Sequence, residues 1–186
     1  MQLGFYFDQS RCIGCHTCSV ACADWHDTGE ETKWLRVTTI EQGDFPDVFV
    51  SFLVLPCCHC EQPGCVEACP AGAISKRADN GIVVVDQELC LGKDGCGLCL
   101  EACPYHVPRF GAGDNAKMQK CDMCVERIER GQQPVCIEAC PMWALDFGPM
   151  DKLRSDYSGS SEAVGFVSAP GTSPAIIFKP KKRQAG

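Results

Sequence analysis

The stretch Asp86-Gln87-Glu88-Leu89-Cys90-Leu91-Gly92-Lys93-Asp94-Gly95-Cys96-Gly97-Leu98-Cys99-Leu100-Glu101-Ala102-Cys103-Pro104 decides how the rest of the 186-residue chain reads. Its compact end spaces two thiols C-x2-C, adds a third after three residues and puts a proline behind it. The same C-x3-C ending closes three other segments: Cys12-x2-Cys15-x2-Cys18-x3-Cys22, Cys57-x2-Cys60-x4-Cys65-x3-Cys69-Pro70 and Cys121-x2-Cys124-x11-Cys136-x3-Cys140-Pro141. Thiolates at these spacings form the ligand loop of a cubane iron-sulfur cluster, in which three cysteines wrap one cluster and the last ligates another.

Composition agrees with a metal protein. Seventeen cysteines are about 9% of the chain, in the range of disulfide scaffolds and metal proteins alike. The odd count, the repeated C-x2-C pairs and the lack of a basic, apolar leader in residues 1–8 favour metal. The longest apolar run, residues 48–56, is interrupted by Ser51 and is far short of the roughly 20 residues a bilayer span needs, so no transmembrane segment is expected. A formal charge of -7, before the further charge of ~-2 on each thiolate-bound cubane, argues against a nucleic-acid partner. The basic residues Lys179, Lys181, Lys182 and Arg183 are too few to change that and read as a solvated terminus. Zinc is the bland alternative, since two C-x2-C pairs build many zinc sites. Tetrahedral zinc modules need neither the four C-x3-C endings nor the proline that follows three of them.

Between the loops the chain reads as short elements. Residues 3–8 form an apolar strand, and residues 19–24 a short helix carrying Cys22. Residues 34–40 and 48–54 form a hairpin across Gly43, Asp44 and Pro46. Residues 72–77 and 82–85 flank Asn80-Gly81, a tight-turn signal. Residues 126–130 form a helix closed at Gly131. Strands are expected at 143–147 and 175–178, a helical turn or two at 150–155, and an extended Gly/Ser/Pro-rich loop at 157–174.

The cysteines sum to four sets of four plus one, and loops work in pairs. The 20 residues between Cys69 and Cys90, with their Asn-Gly hairpin, match a compact two-cluster layout, which pairs the second loop with the third and leaves the first for the fourth. The expected ligand sets are Cys12, Cys15, Cys18 and Cys140; Cys22, Cys121, Cys124 and Cys136; Cys57, Cys60, Cys65 and Cys103; and Cys69, Cys90, Cys96 and Cys99. Sequential pairing stays open, although the segment from Cys22 to Cys57 is long and holds its own hairpin. Cys58 is the spare thiol, because only Cys57 keeps the C-x2-C spacing to Cys60.

Four stretches carry a family resemblance: Phe7-Asp8 to Cys22, Cys60-Glu61 to Pro70, Lys120-Cys121-Asp122-Met123-Cys124, and Cys140-Pro141-Met142-Trp143-Ala144-Leu145-Asp146-Phe147-Gly148-Pro149. Through them nearly the whole chain resembles the iron-sulfur subunit of dimethyl sulfoxide reductase and its relatives, such as the polysulfide and thiosulfate reductase subunits. The resemblance implies a chain that relays electrons, in anaerobic respiration, to or from a separate catalytic subunit carrying molybdenum or tungsten on a bis-pterin cofactor. It also implies contact with a membrane anchor subunit in many members, and the nested pairing. The third loop departs from the family's C-x2-C-x2-C: this chain has Cys90-x5-Cys96, and a rigid template would put Lys93 at the ligand position. Internal comparison keeps Cys90 in that role, since Asp8-Gln9-Ser10-Arg11-Cys12-Ile13-Gly14 matches Asp86-Gln87-Glu88-Leu89-Cys90-Leu91-Gly92 and the extra residues fall after Gly92.

No nucleophile-base pair, phosphate loop or acid-base carboxylate pair is present, so the chain is not expected to be an enzyme by itself. His16, His26 and His59 read as hydrogen-bonding or surface residues, and His106 as a residue that tunes a cluster through a bond to sulfur. Trp25, Trp34 and Trp143 read as packing or interface residues rather than redox relays. The expected fold is α+β: two nested bacterial ferredoxin-like modules binding four 4Fe-4S clusters, with short hairpins, short helices and an extended C-terminal tail. Residues 1–33 plus 105–148 form the outer module, 34–56 an inserted hairpin, 57–104 the inner module, and 149–186 a C-terminal extension docking on a partner. The expected function is an electron-transfer subunit, with a free-standing polyferredoxin for dehydrogenases or hydrogenases as the alternative. The expected location is the cytoplasm, or the periplasm by co-export with a signal-bearing partner, with membrane association through a partner.

Overall fold

The apolar run near the N-terminus forms β1 (Leu3–Asp8), and all six of its residues are buried, the pattern of a strand covered on both faces. The computed structural model describes residues 1–183. In its three-stranded sheet, β1 lies between β8 (Leu145–Pro149), antiparallel, and β9 (Ile176–Lys179), parallel. Side chains alternate across a strand. Leu3, Phe5, Phe7, Ile176 and Phe178 therefore enter the main core, whereas Tyr6 and Ile177 face a second, smaller core with Met150 and Leu153 of α7 (Met150–Asp156). Gly4 opposes Gly148 in the register, and a Cβ on Gly4 would collide with Met150 Sδ and the carbonyl of Ala175. Glycine there lets α7 and β9 approach the strand.

The remaining elements are small. Strands β2 (Arg36–Gln42) and β3 (Phe49–Leu55) pair from Arg36↔Leu55 to Gln42↔Phe49, with Phe49, Ser51 and Leu53 turned inward. The Asn-Gly turn joins β4 (Ile74–Lys76) to β5 (Val83–Val85), and β6 (Arg109–Phe110) pairs with β7 (Met118–Gln119). Each C-x3-C ending begins on a helix: α1 (Thr17–Trp25), α2 (Gly64–Glu67), α4 (Leu98–Glu101) and α6 (Val135–Glu138). The two cysteines of each ending are four residues apart, about one helical turn. They therefore reach two different sites from one short scaffold. Pro70, Pro104 and Pro141 stand where a further helical residue would need its amide, and the helices before them are four residues long. Cys22 is followed by Ala23, and α1, nine residues in all, runs on to Trp25. Two further helices, α3 (Gly92–Gly95) and α5 (Val125–Glu129), occupy the long gaps of the third and fourth loops.

The fold is mixed α and β with short helices and strands, as expected, and it differs from the reading in three places. The strand expected at 143–147 starts at Leu145, because Trp143 has a left-handed backbone (φ 46) and points into solvent. The helical turns expected at 150–155 and the strand expected at 175–178 are present as α7 and β9, but the tail is folded back rather than extended, and its loop is sewn to the body by backbone bonds from Glu61 to Ser173, from Gln62 to Thr172 and from Ala175 to Cys58. Buried Gln9 adds bonds to both the Val164 carbonyl (3.0 Å) and amide (2.9 Å). Three of the four basic residues read as a solvated terminus are likewise docked: Lys179 pairs with buried Asp8 at 2.9 Å, Lys181 donates to the Val50 carbonyl at 2.8 Å, and Arg183 donates to the Asp47 carbonyl, whereas Lys182 is exposed.

Candidate metal centre

The four cysteine loops open with one repeated local geometry. Two residues after the first cysteine stands a residue of positive φ: Gly14 (67°), His59 (42°), Gly92 (81°) and Met123 (61°). This turn aims the amide back at sulfur. The His59, Gly92 and Met123 amides donate to Cys57, Cys90 and Cys121 Sγ at 3.5, 3.4 and 3.4 Å, and the Gly14 amide does the same for Cys12. Cys90 therefore stands in the position of Cys12, while Lys93 is exposed on α3 with its amide bonded to the Ala116 carbonyl at 3.0 Å. Cys57, not Cys58, takes the opening place of the second loop. Cys58 is buried in the main core, with its carbonyl bonded to Ala175. The last cysteines also accept backbone bonds, Cys103 from Val107 (3.5 Å) and Cys140 from Ala144 (3.3 Å). The sulfur bond expected of His106 thus comes from the Val107 amide, and the His106 side chain is exposed.

Tertiary packing gathers sixteen of the thiols in four groups. Cys12, Cys15, Cys18 and Cys140 line one small cavity, and Cys69, Cys90, Cys96 and Cys99 another, both partly open to solvent. Cys22, Cys121, Cys124 and Cys136 lie close enough for their charges to raise one another's pKa. In the same way Cys57 and Cys103 raise the pKa of Cys60 and Cys65. Charge coupling also runs from group to group. Cys136 feels Cys18, Cys121 feels Cys57, and Cys65 feels Cys99. The couplings order the groups from the Cys12 group through the Cys22 and Cys57 groups to the Cys90 group. Exposed apolar side chains line the two end cavities, Ile13 and Met142 at one and Leu91 at the other, and Trp143, Leu89 and Leu98, close in sequence to their cysteines, are exposed as well.

The donor chemistry fits cubane iron. Burial, with neighbouring thiolates, pushes Cys18, Cys22, Cys60 and Cys65 up to about 12 and Cys99 to about 11; Cys121 and Cys136, wholly enclosed, lie well above the ordinary thiol value. Four crowded thiols in such surroundings stay protonated unless a cationic centre takes their charge, which is what a soft, sulfur-seeking metal core supplies. Their other support is a set of donors: backbone amides, the Thr17 hydroxyl on Cys15 Sγ (3.3 Å) and His26 Nε2 against Cys124 Sγ (3.3 Å). His26, Asp122 and Cys124 bring three ligand-type atoms together, but the Cys124 thiol belongs to the second group.

Two functional-looking residues carry little sequence signal. Lys120 is 3% exposed and its ammonium donates to the carbonyls of Val83 and Cys121, and its charge offsets part of the rise that burial imposes on the pKa of Cys65. His59 is fully buried. Its Nδ1 accepts the Val83 amide at 3.0 Å, which leaves the proton on Nε2, an atom with no protein partner. Two of the tryptophans pack against neighbours, Trp25 under the Arg127 guanidinium and Trp34 tilted against His26, while Trp143 is exposed.

Comparison with known proteins agrees with this donor set. Residues 48–150 match the family described as 4Fe-4S dicluster domain. Over 187 residues the sequence is 41% identical to one of the chains of the anaerobic dimethyl sulfoxide reductase of Escherichia coli K12, covering 96% of this protein and 89% of that one. The corresponding reductase chain of Haemophilus influenzae is 39% identical, with 97% and 90% covered. A subunit of the sulfite dehydrogenase of Allochromatium vinosum is 35% identical, with 98% and 84% covered. This protein belongs to the 4Fe-4S dicluster proteins and, among them, to the iron-sulfur subunits of the dimethyl sulfoxide reductase family.

Proposed function

We propose that this protein is the electron-transfer subunit of an oxidoreductase complex and holds four 4Fe-4S clusters, one in each thiol group. The observation that carries the reading is the gathering of sixteen thiols in four groups, two of them lining cavities and successive groups coupled in charge through Cys18 and Cys136, Cys57 and Cys121, and Cys65 and Cys99. Clusters bound there would supply one-electron transfer between close neighbours. The chain's own part is to hold the donors, exclude water and set the charge around each group. The C-x3-C helices hold adjacent groups one turn apart, the core around Phe5, Phe7 and Phe178 encloses the middle groups, and backbone amides and Lys120 stabilise negative charge on sulfur. The nested division follows from the same grouping, since the first loop shares its thiol groups with the fourth and the second with the third.

The partner is a separate catalytic subunit; two relatives are each named as one of several chains of a reductase, which indicates such a partner for those proteins. Family membership makes a molybdenum or tungsten bis-pterin enzyme the proposed partner, and the exposed apolar side chains at the two end cavities suit subunit contacts. Among the described residues no helix is long and apolar enough to cross a membrane, so a membrane attachment would come through another subunit. The test is anaerobic isolation of the native protein with whatever remains bound, followed by iron analysis and redox-titrated EPR. About sixteen iron atoms per chain and a co-purifying pterin subunit are expected. Twelve or fewer iron atoms at full occupancy would overturn the four-cluster reading, and a chain that purifies alone in active form would be a free polyferredoxin.

A further inference from the structure

Helix α1 ends at a residue that leaves its own loop. His26 caps the helix, its amide bonded to the Cys22 carbonyl at 3.2 Å, and its ring crosses to the fourth loop, 98 residues away in sequence, to place Nε2 3.3 Å from Cys124 Sγ. The crossing depends on the missing proline after Cys22: the other three C-x3-C helices stop at four residues, whereas this one runs to Trp25 and carries His26 over the group. Trp34 packs against the imidazole, tilted by 32° with 4.2 Å between ring centres, and the His26 side chain is only 11% exposed. The second atom near Nε2 is Asp122 Oδ1 at 3.8 Å. Both neighbours are acceptors, so Nε2 carries the proton whether or not the ring is charged.

We infer that His26 is a positioning residue that sets the reduction potential of the cluster held by Cys22, Cys121, Cys124 and Cys136, through an N–H···S hydrogen bond to Cys124. This inference rests on the ligand reading above. Reduction adds negative charge that spreads over the cluster's sulfurs, so a donor on a ligand sulfur stabilises the reduced form more than the oxidised one and raises the potential. Of the four groups, this is the one whose thiolate faces a side-chain imidazole at hydrogen-bond distance among the described residues. The bond also ties the first loop to the fourth, so it acts at the seam of the outer module. Asp122 opposes it. Its carboxylate raises the pKa of Cys22 and Cys124 and accepts the Cys124 amide at 2.8 Å, which places negative charge beside the same sulfur.

The test uses the intact complex with His26→Phe, which keeps a ring on Trp34 but removes the donor, and His26→Gln, which keeps an amide donor. Cys124→Ser, whose EPR signal shifts or disappears, identifies the relevant cluster. His26→Phe is expected to retain full iron and to shift the reduction equilibrium of that cluster about tenfold toward the oxidised form, a drop of about 59 mV for one electron, with the other three unmoved. His26→Gln is expected to restore much of the potential. Histidine labelled with ¹⁵N is expected to show a magnetic coupling to the wild-type cluster that His26→Phe abolishes. An unmoved midpoint in His26→Phe at full iron, an equal shift in both variants, or no ¹⁵N coupling in the wild type would each overturn the inference. Should His26→Phe fail to assemble, the glutamine variant and the wild-type coupling decide it. If Cys124→Ser instead leaves every signal and all the iron in place, it is the ligand reading that fails.

Discussion

The first and third loops begin alike and then diverge. Asp8 and Asp86 each accept the amide two residues on, from Ser10 and Glu88, at 2.9 Å, and Cys12 and Cys90 each accept an amide from a left-handed glycine two residues on. After the glycine the first loop reaches its second thiol at once, whereas the third inserts residues 93–95, most of α3, before Cys96. Yet both end with four thiols around cavities of nearly equal size. A loop can therefore absorb three residues where they bulge outward, so long as the strand end, the glycine turn and the final C-x3-C helix keep their places. The loops differ also in support. Asp8 is buried and bonded to Lys179 and the Ser10 hydroxyl, while Asp86 stays exposed.

The strongest break in this comparison is removal of the opening thiols. Cys12→Ala and Cys90→Ala are each expected to lose or convert one cluster, at opposite ends of that order of groups, while Lys93→Ala leaves all four; iron analysis with EPR reads the outcome. Loss of a cluster in Lys93→Ala but not in Cys90→Ala would show that the two loops are misaligned. A second, smaller effect is expected from the glycine turns. Gly14→Ala and Gly92→Ala each force a side chain into the left-handed region, at a cost of about 1–2 kcal/mol. Gly92→Ala should be the worse, because its Cβ would meet the Asn115 side chain and backbone carbonyl, whereas at Gly14 it meets the Phe52 ring, which can rotate. Denaturation midpoints of the intact complex compare the two, and equal midpoints would remove the distinction.

Acid should separate the loops further. Burial raises the Asp8 pKa, but hydrogen bonds from Ser10 and Lys179 outweigh it and hold the carboxyl below its usual value. A depressed folded pKa contributes stability above the unfolded carboxylate value of about 3.9, and that contribution is lost as pH falls through the folded pKa. Asp8→Asn should therefore lower stability near neutral pH and flatten its fall in acid. The denaturation midpoint against pH is the measurement, and an unchanged acid limb would assign the loss to other carboxyls. The smallest effect belongs to the insertion itself. Deleting residues 93–95 should keep all the iron and cost only local bonds, such as those of the Lys93 amide to Ala116 and of the Asn115 amide to Asp94. Loss of the fourth cluster on that deletion would mean that α3 positions Cys96.

Much of this protein was legible in one dimension because its chemistry is local. Cysteine spacing located the loops, the Asp-Gln repeat put Cys90 in place of Lys93, Asn80-Gly81 marked its hairpin, and the run at 3–8 read as a strand, since turns and ligand loops depend on neighbours within a few residues. The spacing also proposed which loops face each other, but proximity between Cys22 and Cys124 exists only once the chain has returned after about 100 residues. Other features had no local signature at all. Lys120 stands in a motif without a role of its own, and His59 reads as a hydrogen-bonding or surface residue; their burial comes from strands and loops far along the chain. The last residues looked like a solvated tail because their composition is basic. Only the fold shows Lys179 on Asp8 and β9 completing the sheet beside β1, since pairing partners more than 160 residues apart are set by the core that brings them together, not by the residues on either side.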